Sequence, residues 1–168
     1  GASKSSAEIA IKSYVKSFFS SKKNNVFISV ARAGNVIGGG DWSADRLVPD
    51  CVKSWSKRKK VFIRSPNSTR PWQHVLEAVN GYLILAINLK LNNRLHGHAF
   101  NFGPKNKKNY KVINVVKEMK KSWNLVSYKI KKEKIFFENK LLNLNSSKAN
   151  RLLKWKCVLD FRDTIFLT

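Results

Sequence analysis

Between residues 3 and 20, Ile9, Ile11, Val15, Phe18 and Phe19 recur at helical spacing with no Gly or Pro among them, which predicts an amphipathic helix. The polar cluster from Ser20 to Asn25 interrupts that pattern and reads as a loop. Residues 26–31 are a short, almost continuous apolar run of strand length, read as a parallel strand buried on both faces. The glycine-rich stretch 34–40 reads as a flexible loop. A second helix is predicted over 45–55, with Val48, Cys51, Val52 and Trp55 on one face. Residues 61–63 form a short strand, Pro66-Asn67 a turn, and 75–91 the longest helical pattern. A strand over 99–102 closed by Gly103-Pro104, a helix over 112–123, a strand around 126–130 and a last helix near 147–153 follow. Helix and strand alternate, so the fold class is α/β. No repeat or linker divides the chain, which is expected to be a single piece over 1–168. A parallel strand buried on both faces needs neighbours, and none precedes 26–31. The chain is therefore expected to be the C-terminal part of a longer domain.

Composition narrows the class. With 168 residues, 43% hydrophobic and 11% aromatic, the chain can fill one core. Five Trp and ten Phe exclude low-complexity disorder. No apolar run reaches the roughly 18 residues of a membrane-spanning helix. Residues 1–10 lack the apolar segment of a secretory signal, so a cytoplasmic setting is expected. Cys51 and Cys157 are too few for a disulfide framework and lack metal-ligand spacing. His96 and His98 have no Cys or carboxylate beside them, so no metal is expected. The net charge of +23 comes mainly from 25 Lys, which accompany 17 Asn as an A+T-rich coding sequence would have them. These lysines are scattered through Lys22-Lys23, 57–60, 105–108 and 129–134. Such a surface attracts polyanions without specificity, and no signature of a dedicated nucleic-acid binder accompanies it. The sign also favours an anionic small ligand.

The glycine loop 34–40 lies between a strand and a helix, where phosphate-binding loops sit. It fits neither the dinucleotide fingerprint nor a P-loop, and alone it could be a hinge. It is, however, the first of an ordered series. Ala31-Arg32-Ala33-Gly34-Asn35-Val36-Ile37-Gly38-Gly39-Gly40-Asp41-Trp42 is followed by Asp45-Arg46-Leu47-Val48-Pro49, then by Arg70-Pro71-Trp72-Gln73-His74-Val75, then by Asn101-Phe102-Gly103-Pro104. The series resembles the extended short-chain dehydrogenase/reductase superfamily of nucleotide-sugar enzymes, most closely its CDP-glucose 4,6-dehydratase branch. It covers essentially the whole chain, as the C-terminal half of the family's length. Lys154 stands where that family usually has Gly, and Phe137-Glu138-Asn139 replaces its late His-Glu-Ala stretch.

The resemblance implies the C-terminal part of a Rossmann-type fold, with the N-terminal NAD-binding half absent. About 1–35 would end the cofactor-binding fold and about 35–168 would form the smaller nucleotide-sugar-binding region. Gly1-Ala2-Ser3-Lys4 matches the close of the family's Tyr-x-x-x-Lys pair, which makes Lys4 the catalytic and nicotinamide-ribose-binding lysine. The i, i+4 spacing puts both side chains on one helix face, where the ammonium lowers the phenol's pKa. Val36 would meet the nicotinamide end of NAD. For CDP-glucose, the resemblance implies Asn35 at the sugar or diphosphate, Arg46 and Leu47 at the nucleotide, Arg70 as diphosphate anchor, Val61 and Ile63 at the base, and Asn101 closing over the diphosphate. Asn35 as a turn cap and Arg70 as a surface arginine are the plain alternatives. His74 is expected to cap the following helix. The implied reaction is loss of water from CDP-glucose with internal hydride transfer through NAD, a step towards deoxysugars of surface polysaccharide. The full-length form would be a homodimer, and residues 1–168 alone would be inactive. Two other readings stay open: a related nucleotide-sugar dehydratase or epimerase, such as a dTDP-glucose 4,6-dehydratase, and an inactive fragment that binds nucleotide or polyanion nonspecifically.

Overall fold

Trp55, Trp155, Phe100 and Phe102 are the largest side chains withdrawn from solvent, and the fold is built around them. The computed structural model describes residues 2–21, 25–104, 110–130 and 142–168. The lysines at 22–23, 105–108 and 131–134, Gly1 and Phe137-Glu138-Asn139 lie outside the described residues.

Helix α1 (Ala2–Phe18) leads to strand β1 (Val30–Ala33), which pairs in parallel with β6 (Ala99–Phe102). Strand β2 (Asn35–Ile37) pairs in parallel with β5 (Trp72–His74), and β3 (Val61–Ile63) with β8 (Tyr128–Ile130). Strands β4 (Thr69–Arg70) and β7 (Tyr110–Lys111) are antiparallel. The remaining helices are α2 (Leu47–Trp55), α3 (Val75–Leu91), α4 (Val112–Met119), α5 (Ser147–Leu153) and α6 (Phe161–Phe166). No described helix is long and apolar enough to cross a membrane.

The α/β class and most elements agree with the sequence pattern. The first strand is displaced: it begins at Val30, not Val26. Residues 26–29 face a turn instead of an extended partner. The Ile28 N–H donates to His96 Nδ1 at 2.9 Å, Ser29 Oγ to the Leu95 carbonyl at 2.6 Å, and Gly97 N–H returns to the Ile28 carbonyl. Half of the expected glycine loop is strand β2, drawn straight by its pairing with β5. Helix α4 ends at Met119, and the turns after it bring Trp123 edge-on to Trp55, 5.8 Å between ring centres. Strands β4, β5 and β7 and helix α6 have no counterpart in the expected elements.

Three apolar clusters hold the layers. Under β6, α3 and α5, Phe100, Phe102, Leu85, Leu153 and Trp155 pack together, with Trp155 edge-on to Phe102. Gly81 permits this approach, because a Cβ there would stand 2.4 Å from Phe102 Cδ1. Val48, Trp72, Val115, Phe161 and Ile165 form the second cluster. Cys51, Trp55, Val61, Ile63 and Val116 form the third. Both cysteines are buried, and burial with the neighbouring Asp50 charge pushes the Cys51 thiol up to about 12. The buried Glu77 of α3 accepts the N–H groups of Val158 and Leu159 at 2.8 and 2.7 Å, tying the segment before α6 to α3. His74 caps α3, its Nδ1 accepting from Leu76 N–H at 3.3 Å.

Candidate functional site

A cavity of about 710 Å³ opens between β2, the entry to α2, the end of β3 and the β4–β5 corner. Its making is local. Gly34 lets β2 run against Pro71, since a Cβ at that position would stand 2.6 Å from the Pro71 carbonyl oxygen. The Asn35 N–H donates to that same oxygen at 3.1 Å. Asn35 therefore begins β2 with only Gly34 between it and the end of β1, and it lies opposite Trp72. The Trp72 indole N–H donates to the Tyr110 carbonyl at 3.1 Å, and the Tyr110 ring stacks on Phe161 at 3.8 Å. Arg70 pairs with Tyr110 in the β4–β7 ladder, and its Nη1 donates to the Thr69 carbonyl at 2.8 Å. Its backbone is thus held by a strand pair, a proline and a buried indole.

Of the expected residues, Asn35, Val36, Arg46, Leu47, Val61, Ile63 and Arg70 line this one cavity. Val61 and Ile63 present apolar side chains from β3, while Arg46 and Leu47 stand at the start of α2. Asn101 is not among the residues lining it. Its Oδ1 accepts from Arg32 Nη1 at 3.3 Å and its Nδ2 donates to the Asn145 carbonyl at 3.1 Å. The cause is register: Asn101 lies opposite Arg32 in the β1–β6 pair, a separate ladder from the cavity's β2–β5. Lys4 is also outside the cavity, exposed on the first turn of α1. One turn further on, Glu8 grips the Arg32 guanidinium through both carboxylate oxygens. That hydrogen-bonded pairing holds the Glu8 carboxyl below its usual range and raises Arg32. Asn101, Arg32 and Glu8 thus form one polar chain running from β6 across β1 to α1.

Sequence reasoning missed four charged residues of the cavity: Asp41, Asp45, Asp50 and Arg64. Asp41 accepts from the Ser43 N–H at 3.0 Å and from Arg46 Nη1 at 2.9 Å, contacts that lower its carboxyl pKa. Burial raises Asp50, with help from the Asp45 charge and opposition from Lys53 and Arg64. Arg64 had a usable signal, since it directly follows β3 and the ends of parallel strands are where open α/β folds hold ligands. Among the described residues no group of three or more His, Cys, Asp or Glu could hold a metal ion.

No protein-family model matches the chain. Solved structures do. It superposes on UDP-glucuronic acid 4-epimerase from Bacillus cereus, in complex with UDP-glucuronic acid and NAD, with a TM-score of 0.78 and 20% identity over 95% of this chain and 48% of that one. For dTDP-glucose 4,6-dehydratase from Bacillus anthracis, in complex with NAD, the TM-score is 0.73 at 19% identity, over 98% and 48%. The fold is that of the extended short-chain dehydrogenase/reductase enzymes, over about half their length. In sequence the chain is similar to CDP-glucose 4,6-dehydratase from Salmonella typhimurium, 39% identical over 157 residues. That match covers 91% of this chain but spans only 44% of the relative, on its C-terminal part.

Proposed function

We propose that this chain is the nucleotide-sugar-binding part of an NAD-dependent CDP-glucose 4,6-dehydratase. About 1–35 would end the cofactor-binding fold and about 35–168 would take the sugar nucleotide. The observation that carries the reading is the meeting of seven separately read residues in one cavity. The 39% identity with a CDP-glucose 4,6-dehydratase favours this reaction over the 4-epimerisation of the 20% identical structural neighbour.

The cavity's own residues suit the ligand. Arg70 and Arg46 offer planar, charge-assisted donors to a diphosphate. Val61 and Ile63 offer an apolar wall to the base, and Asn35 turns an amide toward the sugar end. NAD would meet this chain at its nicotinamide-ribose end, through Lys4 and Val36. The fit is partial: Val36 lines the cavity, and Lys4 stands one helical turn from the Glu8–Arg32 clamp that docks α1 on β1. When bound, NAD would take hydride from C4 of the glucosyl unit and return it at C6 after water is lost. Lys4 would hold its ammonium beside the proton-accepting phenol and keep that phenol acidic. The assembled enzyme would be a homodimer.

Calorimetric titration of the chain with CDP-glucose tests this. Arg70→Ala is expected to weaken binding by about 1.5–3 kcal/mol, the usual loss of a charge-assisted hydrogen bond. Unchanged affinity, or no binding by the unmodified chain, refutes it.

A further inference from the structure

The cavity's cations are held in different ways. Arg70 is braced from behind by the Thr69 carbonyl, and Arg46 is paired within its own loop to Asp41. Arg64 reaches from the end of β3 across to the segment entering α2, where its Nη2 donates to Asp45 Oδ1 at 3.2 Å. The two side chains are 49% and 81% exposed, so burial does not lock them together. Asp45 turns the chain at φ 60°, in the left-handed region that Asp and Asn adopt more readily than most side chains. Gly40, at φ 82°, bends the same segment at its other end. Three carboxylates, Asp41, Asp45 and Asp50, therefore line a cavity whose arginines suit an anion. An anion bound there meets like charge unless one carboxylate withdraws.

We infer that Arg64 is a further diphosphate-binding residue masked by Asp45, and that a nucleoside diphosphate binds by replacing Asp45 on the guanidinium. This deepens the nucleotide-sugar reading above and rests on it. The exchange is favourable in kind. An exposed carboxylate–guanidinium pair holds weakly in water, whereas a diphosphate brings more charge and several acceptor oxygens to the same planar fork. Asp45 thereby becomes a specificity element. A ligand with one phosphate satisfies Arg70 without the reach to displace Asp45 from Arg64, so the site favours diphosphates over monophosphates.

The test is titration calorimetry of the chain with CDP and with CMP. The variants are Asp45→Asn, Arg64→Gln and the double variant, each checked for folding by circular dichroism. Asn accepts the left-handed backbone readily, so the first variant keeps the turn and removes only the competing charge. Asp45→Asn is expected to tighten CDP about threefold to fivefold and CMP by less, in line with the loss of one exposed ion pair. Arg64→Gln is expected to weaken CDP about tenfold. In the Arg64→Gln background, Asp45→Asn should bring no further tightening. If Asp45→Asn has no effect, or tightens CDP equally with and without Arg64, Asp45 acts only as a distant charge and the inference falls. Arg70→Ala separates the two readings. If it still weakens CDP while the Asp45 and Arg64 effects are missing, nucleotide binding stands and the mask does not. If the unmodified chain binds no CDP, both fall.

Discussion

Around the cavity, α2, α4 and α6 bury Trp55, Ile63, Val115 and Val116 completely or nearly so, and nearly every large apolar side chain of α2 and α4 finds cover. Across the molecule, α3 behaves otherwise. Its inner face packs Ala78, Gly81 and Leu85 on β6, while Leu76, Leu83, Ile87 and Leu91 form an outer stripe in solvent. Helix α1 adds exposed Ile9, Tyr14 and Phe18. A helix that is apolar on opposite faces is built for cover on both, and the described residues cover one. The cavity side is closed by its own chain, and the β1–β6 side is closed by half.

Trp55→Ala gives the largest expected effect and challenges the closed side. It removes a wholly buried indole that donates to the Ser127 carbonyl at 2.8 Å, and should cost about 3–5 kcal/mol in a denaturant melt. A loss below about 1 kcal/mol would mean that this core is not what holds the cavity. Gly81→Ala probes the other side, where the added methyl collides with the buried Phe102 ring. A loss of about 1–3 kcal/mol is expected in the same measurement. Leu83→Gln with Ile87→Gln sharpens the contrast and should move stability by no more than about 0.5 kcal/mol for each change. The pair should lower self-association of the chain in sedimentation, since it breaks the exposed stripe. A large destabilisation without change in association would show the stripe to be covered within the chain.

The same contrast sets what could be read beforehand. β3, α3, β6 and α5 match their expected limits to the residue: α3, β6 and α5 carry apolar patterns over four residues or more, and β3 is a wholly apolar run followed by the turn at Pro66-Asn67. β2, β4, β5 and β7 span two or three residues each, too few for a period, and they form only by pairing with distant segments. Helix α6 spans only six residues, and its one local sign was the reciprocal cap between Asp160 and Asp163. In the cavity, the residues carried by family-like motifs were legible. The carboxylates that neutralise Arg46 and Arg64 were not, because an Asp in a loop looks alike whether it faces solvent or a cation. Asn101 sits in the β1–β6 ladder, apart from the cavity's lining, and sequence order does not show which ladder a strand joins.

One backbone contact, between Asn35 N–H and the Pro71 carbonyl, sets the distance between the residue before Pro71 and the residue after Gly34. Those residues are Arg70 and Asn35, two polar side chains lining the same cavity. Any side chain at position 34 would wedge the strands apart there. Mutational vulnerability is therefore concentrated at a residue with no functional group of its own. In a population of variants, position 34 would tolerate as little change as Arg70, though it has no side chain to line the cavity.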